Sequence, residues 1–318
     1  MRHINIWIIT ISALLFCGCD GLIEDLDESK LPKIESKLVV SCYISPQSAI
    51  ISVIVSESQP LLGPASYNPV YITNAEVVLS GNAGQIRIRR RDSTSLYAVD
   101  SSAFKILAGQ TYTLTVNDGK RYVKATCTVP ANVPKIKNVL IEDVSGTQFN
   151  HYLGLRVRSS WEDIKGENNY YSTRGFIDYG AKQLWSDPIT GDVGPVLQRG
   201  WVEISFFPPI DNLFNDANLD GSIFVGPELN MFFEKRDTIV YRDKNNVERS
   251  FDNEARISEV HIEVINMDEH YYQFLRSTAN YKEDNKFTEP TPVYTNIQGG
   301  LGCFAAFNAV VFVDRSGW

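Results

Sequence analysis

The stretch with the clearest cofactor chemistry is GGLGCFAA, at residues 299–306. Gly300-x-Gly302-x-x-Ala305 has the spacing of a degenerate dinucleotide fingerprint, in which glycines let the backbone approach a pyrophosphate. That motif must follow a buried parallel strand and open a helix. Here two prolines precede it and the alternating FAAFNAVVFVD follows it. We therefore expect no cofactor. Gly299, Gly300 and Gly302 are predicted to be structural, through positive φ or close passage of another strand, before a last strand closes the second sheet.

A second stretch, DANLDGS at residues 216–222, begins as a calcium-binding loop does. Asp216, Asn218 and Asp220 alternate, and Gly221 permits the sharp turn that such loops need. The twelfth position should supply a bidentate carboxylate but is Pro227, and no helical pattern flanks the loop. The sequence favours an Asx-rich turn without metal, with calcium binding as the alternative.

The remaining polar patterns do not identify a catalytic site. His261 alternates with Glu259 and Glu263, which places the three side chains on one strand face and favours a solvated surface over a metal site. The sequence contains no nucleophile elbow, no HExxH motif and no Cys/His nucleophile pattern. The expectation is a protein that is not an enzyme, although a pair of carboxylates in a cleft of the second half stays open as a hydrolase alternative.

Aromatic side chains are concentrated in the second half and are the best candidates for ligand contact. Their rings offer large contact areas to sugars, macrocycles and proteins at a small entropic cost. Most of them are expected to fill a core, with a few left in exposed positions. The candidate ligand contacts are Tyr170, Tyr171, Tyr179, Trp185 and Trp201.

The N-terminus predicts export and lipidation. Arg2 and His3 precede a short apolar run, which is typical of a signal peptide over residues 1–18. Gly18 before Cys19 resembles the bacterial lipobox, in which that cysteine is acylated. Residues 19–36 form an acidic, weakly hydrophobic segment that is predicted to be a solvated tether.

Charge and cysteine content restrict the partners and the redox state. The 318 residues carry a net charge of −8, which argues against nucleic acid because phosphate binding requires a dense basic face. Alternation in their strands predicts that Cys42 and Cys127 point into a core. A disulfide between them and buried free thiols both remain open.

The strand pattern predicts a mostly β fold of two sandwich-like domains. Seven short strands over residues 37–132 indicate an immunoglobulin-like sandwich, in which Gly109 and Tyr112 match a tyrosine corner. Pro130 and Pro134 mark the predicted boundary. Residues 133–318 are predicted to form an aromatic-rich β domain with one short helix over residues 267–281, capped by Asn266.

Several segments together resemble a lipoprotein family of Bacteroidota known as domain of unknown function 4249. They are the lipobox, KLVVSCYI, AGQTYTLTV, TVPANVPKI, WEDIKGENNYY and, most specifically, FTEPTPVYTNIQGGLGCFAAF. Acidic residues directly after Cys19 also resemble the surface-export signal of such lipoproteins. The resemblance implies a lipid-anchored outer-membrane protein, often encoded beside a TonB-dependent transporter. It supplies no catalytic residues.

We therefore predict a surface-exposed, non-catalytic binding or accessory protein of the outer membrane. Its expected partners are the membrane, through the lipid on Cys19, a TonB-dependent transporter, and a small-molecule, glycan or peptide ligand. A free-standing structural or adhesive module on the cell surface is the alternative.

Overall fold

The computed structural model describes eight segments of the chain, which are residues 35–59, 68–91, 94–144, 152–204, 212–234, 238–252, 256–281 and 292–317. The predicted signal peptide, Cys19 and nearly all of the predicted tether lie outside them. Residues 37–58 and 69–318 belong to one compact unit, which contains every element described below. A second unit, residues 1–36 with 59–68, lies almost entirely outside the described segments.

The first part of the chain forms seven short strands, which are β1 (Leu38–Ile44), β2 (Ile50–Glu57), β3 (Glu76–Gly81), β4 (Gly84–Ile88), β5 (Leu96–Asp100), β6 (Thr111–Asn117) and β7 (Tyr122–Thr128). Strands β1, β2 and β5 face the sheet β4-β3-β6-β7. Every second side chain of β1, β6 and β7 is buried, because alternate residues of a strand point to one face. The result is a two-layer sandwich with a continuous apolar core.

The second part contains longer strands, which are β8 (Lys135–Asp143), β9 (Tyr152–Glu162), β10 (Tyr170–Ser186), β11 (Val193–Ile204), β12 (Phe214–Asn215), β13 (Ile223–Val225), β14 (Leu229–Glu234), β15 (Thr238–Arg242), β16 (Glu248–Asp252), β17 (Arg256–Met267) and β18 (Leu301–Asp314). Strand β9 pairs with β8, β13 and β14, and β15 and β16 pair with each other as a two-stranded sheet. Side chains of β9 pack on β10 and β17 around Leu155, Ile177 and Ile262. Together with the first sandwich, this confirms the predicted mostly β fold.

One large sheet includes strands from both parts of the chain. Its order is β11-β10-β17-β18-β1-β2-β5, with β12 added to β10. The last strand, β18, is antiparallel to β17 and parallel to β1, where Cys42 lies opposite Phe304. The sequence predicted that the last strand closes the second sheet, but it also joins that sheet to the first sandwich. The domain boundary at residue 132 stays a prediction.

A tyrosine corner fixes the turn before β6. The Tyr112 hydroxyl accepts a hydrogen bond from the Leu107 N–H at 2.7 Å and donates to the Lys105 carbonyl at 3.4 Å. This phenol, returning to the backbone a few residues upstream, is a hallmark of immunoglobulin-like sandwiches. The corner predicted from Gly109 and Tyr112 is therefore confirmed.

The only α-helix of the described segments is α1 (Glu269–Ala279), shorter at both ends than the predicted 267–281. Its N-cap is Asp268, whose Oδ1 accepts from the Tyr271 N–H at 2.8 Å. Asn266 is not the cap, because β17 continues through it and pairs it with Tyr171 and Asn308. No helix in these segments has the length and apolarity that a membrane span requires.

All three cysteines of the described segments are buried and free, namely Cys42, Cys127 and Cys303. Burial raises the pKa of the Cys42 thiol to about 12 and shifts the pKa values of the other two in the same direction. A thiol that stays protonated is a poor nucleophile. The cysteines therefore act as small apolar core residues.

Candidate functional site

The hairpin of β10 and β11 extends beyond the rest of its sheet. Alternate residues of β10 are buried as far as Ile177, whereas the last residues, from Lys182 to Trp185, are exposed. The β10–β11 pairing nevertheless continues to Ser186 opposite Val193. In the described segments β17 pairs with β10 only as far as Gly180, so the distal part of β10 has no paired strand on that edge. The exposed side chains of the distal hairpin are available for contact.

The register divides the exposed side chains between two faces. Trp201 lies directly opposite Asp178, so it shares a face with Lys182 on β10 and with Leu197 on β11. Trp185 lies on the opposite face, because it differs from Asp178 by an odd number of positions. Trp201 and Trp185 are 60% and 51% exposed. Two tryptophans on an edge hairpin thus present separate contact surfaces.

The face that carries Trp201 borders a groove of about 690 Å³. This volume is within the range of small-molecule sites, about 300–1,000 Å³. Charged side chains of both signs line the groove. They are Lys182, Arg199 and Arg256, and Asp178, Asp252 and Glu259. Such a lining offers both hydrogen-bond donors and acceptors, which suits a polar ligand.

A β-bulge in β17 shapes the floor of this groove. The register shifts so that Asp178 lies opposite Glu259 and Tyr179 lies opposite Ile257, which leaves Ser258 unpaired in the ladder. The Ser258 hydroxyl donates to the Asp178 carbonyl at 3.2 Å instead. Bulges bend a strand and redirect its side chains, and they are frequent beside functional sites. This bulge directs both Arg256 and Glu259 into the groove.

Ion pairs fix the carboxylate of Glu259 at the edge of the groove. Its oxygens lie 2.8 Å from the Arg315 Nε and 2.8 Å from the His261 Nε2. These hydrogen bonds lower the pKa of Glu259. The His261 ring in turn lies beside the Trp201 indole, with 4.9 Å between the ring centroids. The His261 ring thus connects the Trp201 indole to the Glu259 carboxylate.

The hairpin of β15 and β16 forms the far wall of the groove. Its residue Asp252 lines the groove, and its turn residue Lys244 forms an ion pair of 2.8 Å with Asp192, in the turn between β10 and β11. This pair connects the two hairpins at their tips, but an exposed pair of this kind contributes only about 0–1 kcal/mol. This ion pair therefore adds little to the stability of the far wall.

The other predicted ligand contacts are placed away from this groove. Tyr171 was predicted as a ligand contact, which is wrong: it is fully buried, and its hydroxyl donates to Asp163 at 2.7 Å. Tyr179 packs against the core around Ile177. Tyr170 is half-buried and stacks on Tyr272, with ring centroids 4.6 Å apart. Adjacent residues of one strand point to opposite faces, so Tyr170 and Tyr171 could not both contact one ligand.

The charged residues of the groove were missed by the sequence reasoning. Lys182, Arg199 and Asp252 are far apart in the sequence and carry no motif. A signal was present in β11, where Trp201, Arg199 and Leu197 recur at every second position of an exposed strand. The pairing of β10 with β11 then places Trp201 opposite Asp178 and Leu197 opposite Lys182, with Arg199 between them.

The predicted calcium loop uses its carboxylates to hold neighbouring backbone. The Asp216 Oδ2 accepts from the Asn169 N–H at 3.0 Å, and the Asp220 Oδ1 accepts from the Gly166 N–H at 2.7 Å. Asn218 takes a positive φ of 68°, as Asx turns permit. In the described segments no three His, Cys, Asp or Glu side chains converge as metal ligands do. The alternative of a metal site at Glu259, His261 and Glu263 is also weakened, because Glu263 forms an ion pair with Arg174.

The glycine stretch lies where β18 crosses close to β1. Gly299 and Gly302 have φ values of +83° and +102°. A Cβ on Gly302 would lie 2.1 Å from the Val40 carbonyl oxygen, and one on Gly300 would lie 2.6 Å from that of Leu38. Real Cβ atoms do not approach a backbone oxygen this closely. The glycines thus permit a parallel strand pairing, in a place where no helix follows to bind a pyrophosphate.

Comparison with known proteins shows a family that covers most of the chain. The family model described as "Domain of unknown function (DUF4249)" matches residues 24–311. No match was found among curated protein sequences.

Two solved structures show only distant similarity. One is a segment of two fibronectin type-III domains from chicken tenascin, with 10% identity, 89% of this chain and 100% of that chain covered, and a TM-score of 0.19. The other is the BSP domain of a biofilm-associated protein, with 7% identity, 86% and 58% covered, and a TM-score of 0.15. Similarity at this level carries no conclusion about function.

Proposed function

Since the chain belongs to the family described as domain of unknown function DUF4249, we propose that it is a lipid-anchored outer-membrane protein with a non-catalytic binding role. It faces the cell surface, binds a polar ligand of glycan or peptide type, and acts beside a TonB-dependent transporter. The observation that carries the binding role is the groove of about 690 Å³ next to the exposed Trp201.

The chemistry of the groove supports binding. Both acidic and basic side chains line it, so a ligand with several hydroxyl or amide groups finds partners for both its donors and its acceptors. The Trp201 indole provides a flat apolar surface beside those charges, and such surfaces suit sugar rings and peptide side chains. A general acid would require a carboxyl group with a raised pKa, whereas the pKa of Glu259 is lowered by its ion pairs.

The tip of the same hairpin supports a macromolecular partner. Large apolar side chains are exposed there away from the groove, namely Trp185 and Val196 on the opposite face and Ile189 in the turn. Exposed apolar groups that cluster among polar residues mark protein contact sites more often than isolated ones do. Tryptophan is also enriched among the residues that dominate interface energies. We assign this surface to the transporter.

The first experiment isolates the tagged full-length protein from detergent-solubilised outer membranes. We expect a β-barrel transporter to copurify at a stoichiometric ratio, as measured by mass spectrometry. Trp185→Ala should reduce the recovered transporter about tenfold or more, because truncating a central interface tryptophan costs about 2 kcal/mol or more. Tyr122→Ala on β7 is the matched control, since Tyr122 is 58% exposed but lies in the first sandwich.

A second readout separates the groove from the hairpin tip. Trp201→Ala should weaken ligand capture, measured as uptake by cells, and should leave transporter recovery unchanged. Recovery of the protein alone, under a detergent that preserves other transporter complexes, would instead favour a free-standing adhesive or structural module. Normal uptake in cells that carry Trp201→Ala would exclude the groove as the ligand site.

A further inference from the structure

The charges of the groove follow a fixed order along β10, and the inference drawn from that order rests on the groove of the proposed function. Three adjacent strands, β11, β10 and β17, contribute to the groove, with β10 in the middle. Every second residue of β10 lines it, namely Asp178, Gly180 and Lys182. Along this strand the groove therefore changes from acidic, through a glycine, to basic.

Gly180 separates two arginines on the neighbouring strands. It pairs with Arg199 of β11 on one side and with Arg256 of β17 on the other. Directly opposed residues point to the same face of a sheet, and neighbouring strands lie about 4.8 Å apart. A Cβ on Gly180 would lie 3.3 Å from the Leu197 Cδ1 and 4.0 Å from the Arg199 Cγ. The glycine thus leaves open the space in which an anion can approach the Arg199 side chain.

Lys182 adds a third cation at the same end of the groove. It lies opposite Leu197 and is therefore a diagonal neighbour of Arg199. Long side chains can reach each other across such a diagonal, and like charges at this distance repel. The described segments supply no ion-pair partner for Lys182 or Arg199. An anionic ligand group would stabilise this end, and a guanidinium binds a carboxylate through two parallel hydrogen bonds.

The other end of the groove, at Asp178, is acidic. Asp178 lies between Trp201 on β11 and Glu259 on β17. The charge of Glu259 is offset by its ion pair with Arg315. The part of the chain that the structure describes provides no such partner for the Asp178 carboxylate. A cationic ligand group at this end would therefore pair with Asp178.

The distance between the two ends fits a short peptide. A strand rises about 3.4 Å per residue, so Asp178 lies about 7 Å from Gly180 and about 14 Å from Lys182 along β10. An extended tripeptide spans about 10 Å. Its amino group can meet Asp178 while its carboxylate lies between Arg199 and Lys182. A uronic-acid glycan offers the carboxylate but no cation, and it would leave Asp178 without an ionic partner.

We propose that the groove binds a short peptide with free ends, whose ammonium group pairs with Asp178 and whose carboxylate lies between Arg199 and Lys182. Trp201 lies opposite Asp178, so its indole packs beside the first residue of the peptide. The polar ligand of the proposed function is thereby narrowed to a peptide of two to four residues, recognised by its two terminal charges.

Isothermal titration of the purified full-length protein with four forms of trialanine tests the proposal. The forms have free ends, an amidated carboxyl end, an acetylated amino end, or both ends blocked. We expect the free form to bind at least about tenfold more tightly than the doubly blocked form, because pairs of charged groups bind more strongly than neutral ones. The two singly blocked forms should have intermediate affinities.

Two variants assign each terminal charge to one end of the groove. Arg199→Gln should weaken binding of free trialanine about fivefold and should not weaken binding of the amidated form, which lacks the carboxylate. Asp178→Asn should weaken free trialanine by about the same factor and should not weaken the acetylated form, which lacks the ammonium group. Arg87→Gln on β4 is the matched control. It removes an exposed arginine that does not line the groove and should leave all four affinities unchanged.

Other results would overturn the assignment. Equal affinities for free and doubly blocked trialanine, both lost in Trp201→Ala, would keep the groove as the ligand site of the proposed function but exclude recognition of charge. Binding of trigalacturonic acid in place of trialanine, weakened by Arg199→Gln, would identify an acidic glycan instead. No binding of any trialanine form at millimolar concentration would exclude a short peptide, whereas recovery of the transporter would still test the proposed function independently.

Discussion

At the residue scale, the absence of a side chain at Gly302 decides how two strands pair. Its φ of +102° lies in the region that L-residues avoid, and the missing Cβ leaves space for the Val40 carbonyl. β18 can therefore lie parallel to β1 from Leu301 onward. A single position thus combines a conformational requirement with a steric one.

We expect Gly302→Ala to reduce the free energy of unfolding by more than about 4 kcal/mol. A non-glycine residue at such a φ costs about 1–3 kcal/mol, and separation of β1 from β18 adds to that cost. Urea unfolding followed by circular dichroism measures the loss. The matched control is Gly84→Ala, because Gly84 has a φ of +120° with open space around its Cβ position. Equal losses in the two variants would show that the approach to Val40 is not limiting.

The residue scale also shows what aromatic character alone can distinguish. It selected Trp201, which is 60% exposed and stays a predicted ligand contact. The same criterion included Tyr171, which forms a core with Trp161. The buried face of β10 is the one on which β9 packs, and the pattern of a strand alone does not show which of its faces another sheet will cover.

At the element scale, local pattern predicted the strands well and the helix start poorly. The alternation of Tyr112, Leu114 and Val116 is visible without any partner, because one face of β6 is buried and the other is not. Asn266 has a capping side chain at a suitable spacing, but ladder pairing extends β17 to Met267. Tertiary pairing therefore overrode the local capping signal, and Asp268 became the cap.

The N-cap of α1 gives the fold a pH dependence. Burial raises the folded-state pKa of Asp268 from 3.8 to about 7. Between about pH 4 and pH 7, Asp268 therefore carries a proton in the folded protein but not in the unfolded chain. This proton stabilises the fold most at the lower end of that range. We expect this contribution to fall as the pH rises through 7. The nearby Glu269 carboxylate raises the same pKa further.

Asp268→Asn tests this dependence, since asparagine also caps helices but does not titrate. We expect the free energy of unfolding of the native chain to decrease between pH 5 and pH 8 more steeply than that of the variant. Urea unfolding at several pH values gives both slopes. Identical slopes would mean that Asp268 is ionised throughout this range in the folded protein.

At the scale of the whole molecule, the large sheet explains why the two parts of the chain cannot be understood separately. β18 is the last strand in sequence but lies between β17 and β1, which comes first. A pairing between residues about 260 positions apart leaves no local trace, so strand patterns alone divided the chain at residue 132. The groove also depends on contacts between segments that are distant in the sequence. Arg199 lies on β11, Asp252 on β16 and Glu259 on β17.

The last prediction for the whole molecule concerns Cys19, the proposed lipidation site, which lies outside the described segments. We expect Cys19→Ser to release the protein from the membrane fraction, because acyl chains stabilise membrane attachment by about 0.8 kcal/mol per buried methylene. Fractionation of cells with immunoblotting measures the distribution, and mass spectrometry of the N-terminal peptide measures acylation.

Cys17→Ser is the control, since Phe16 before Cys17 is too large for the lipobox cleavage. The control should stay in the membrane. A membrane-bound, unacylated Cys19→Ser protein would show that contact with a partner, and not lipid, retains it there.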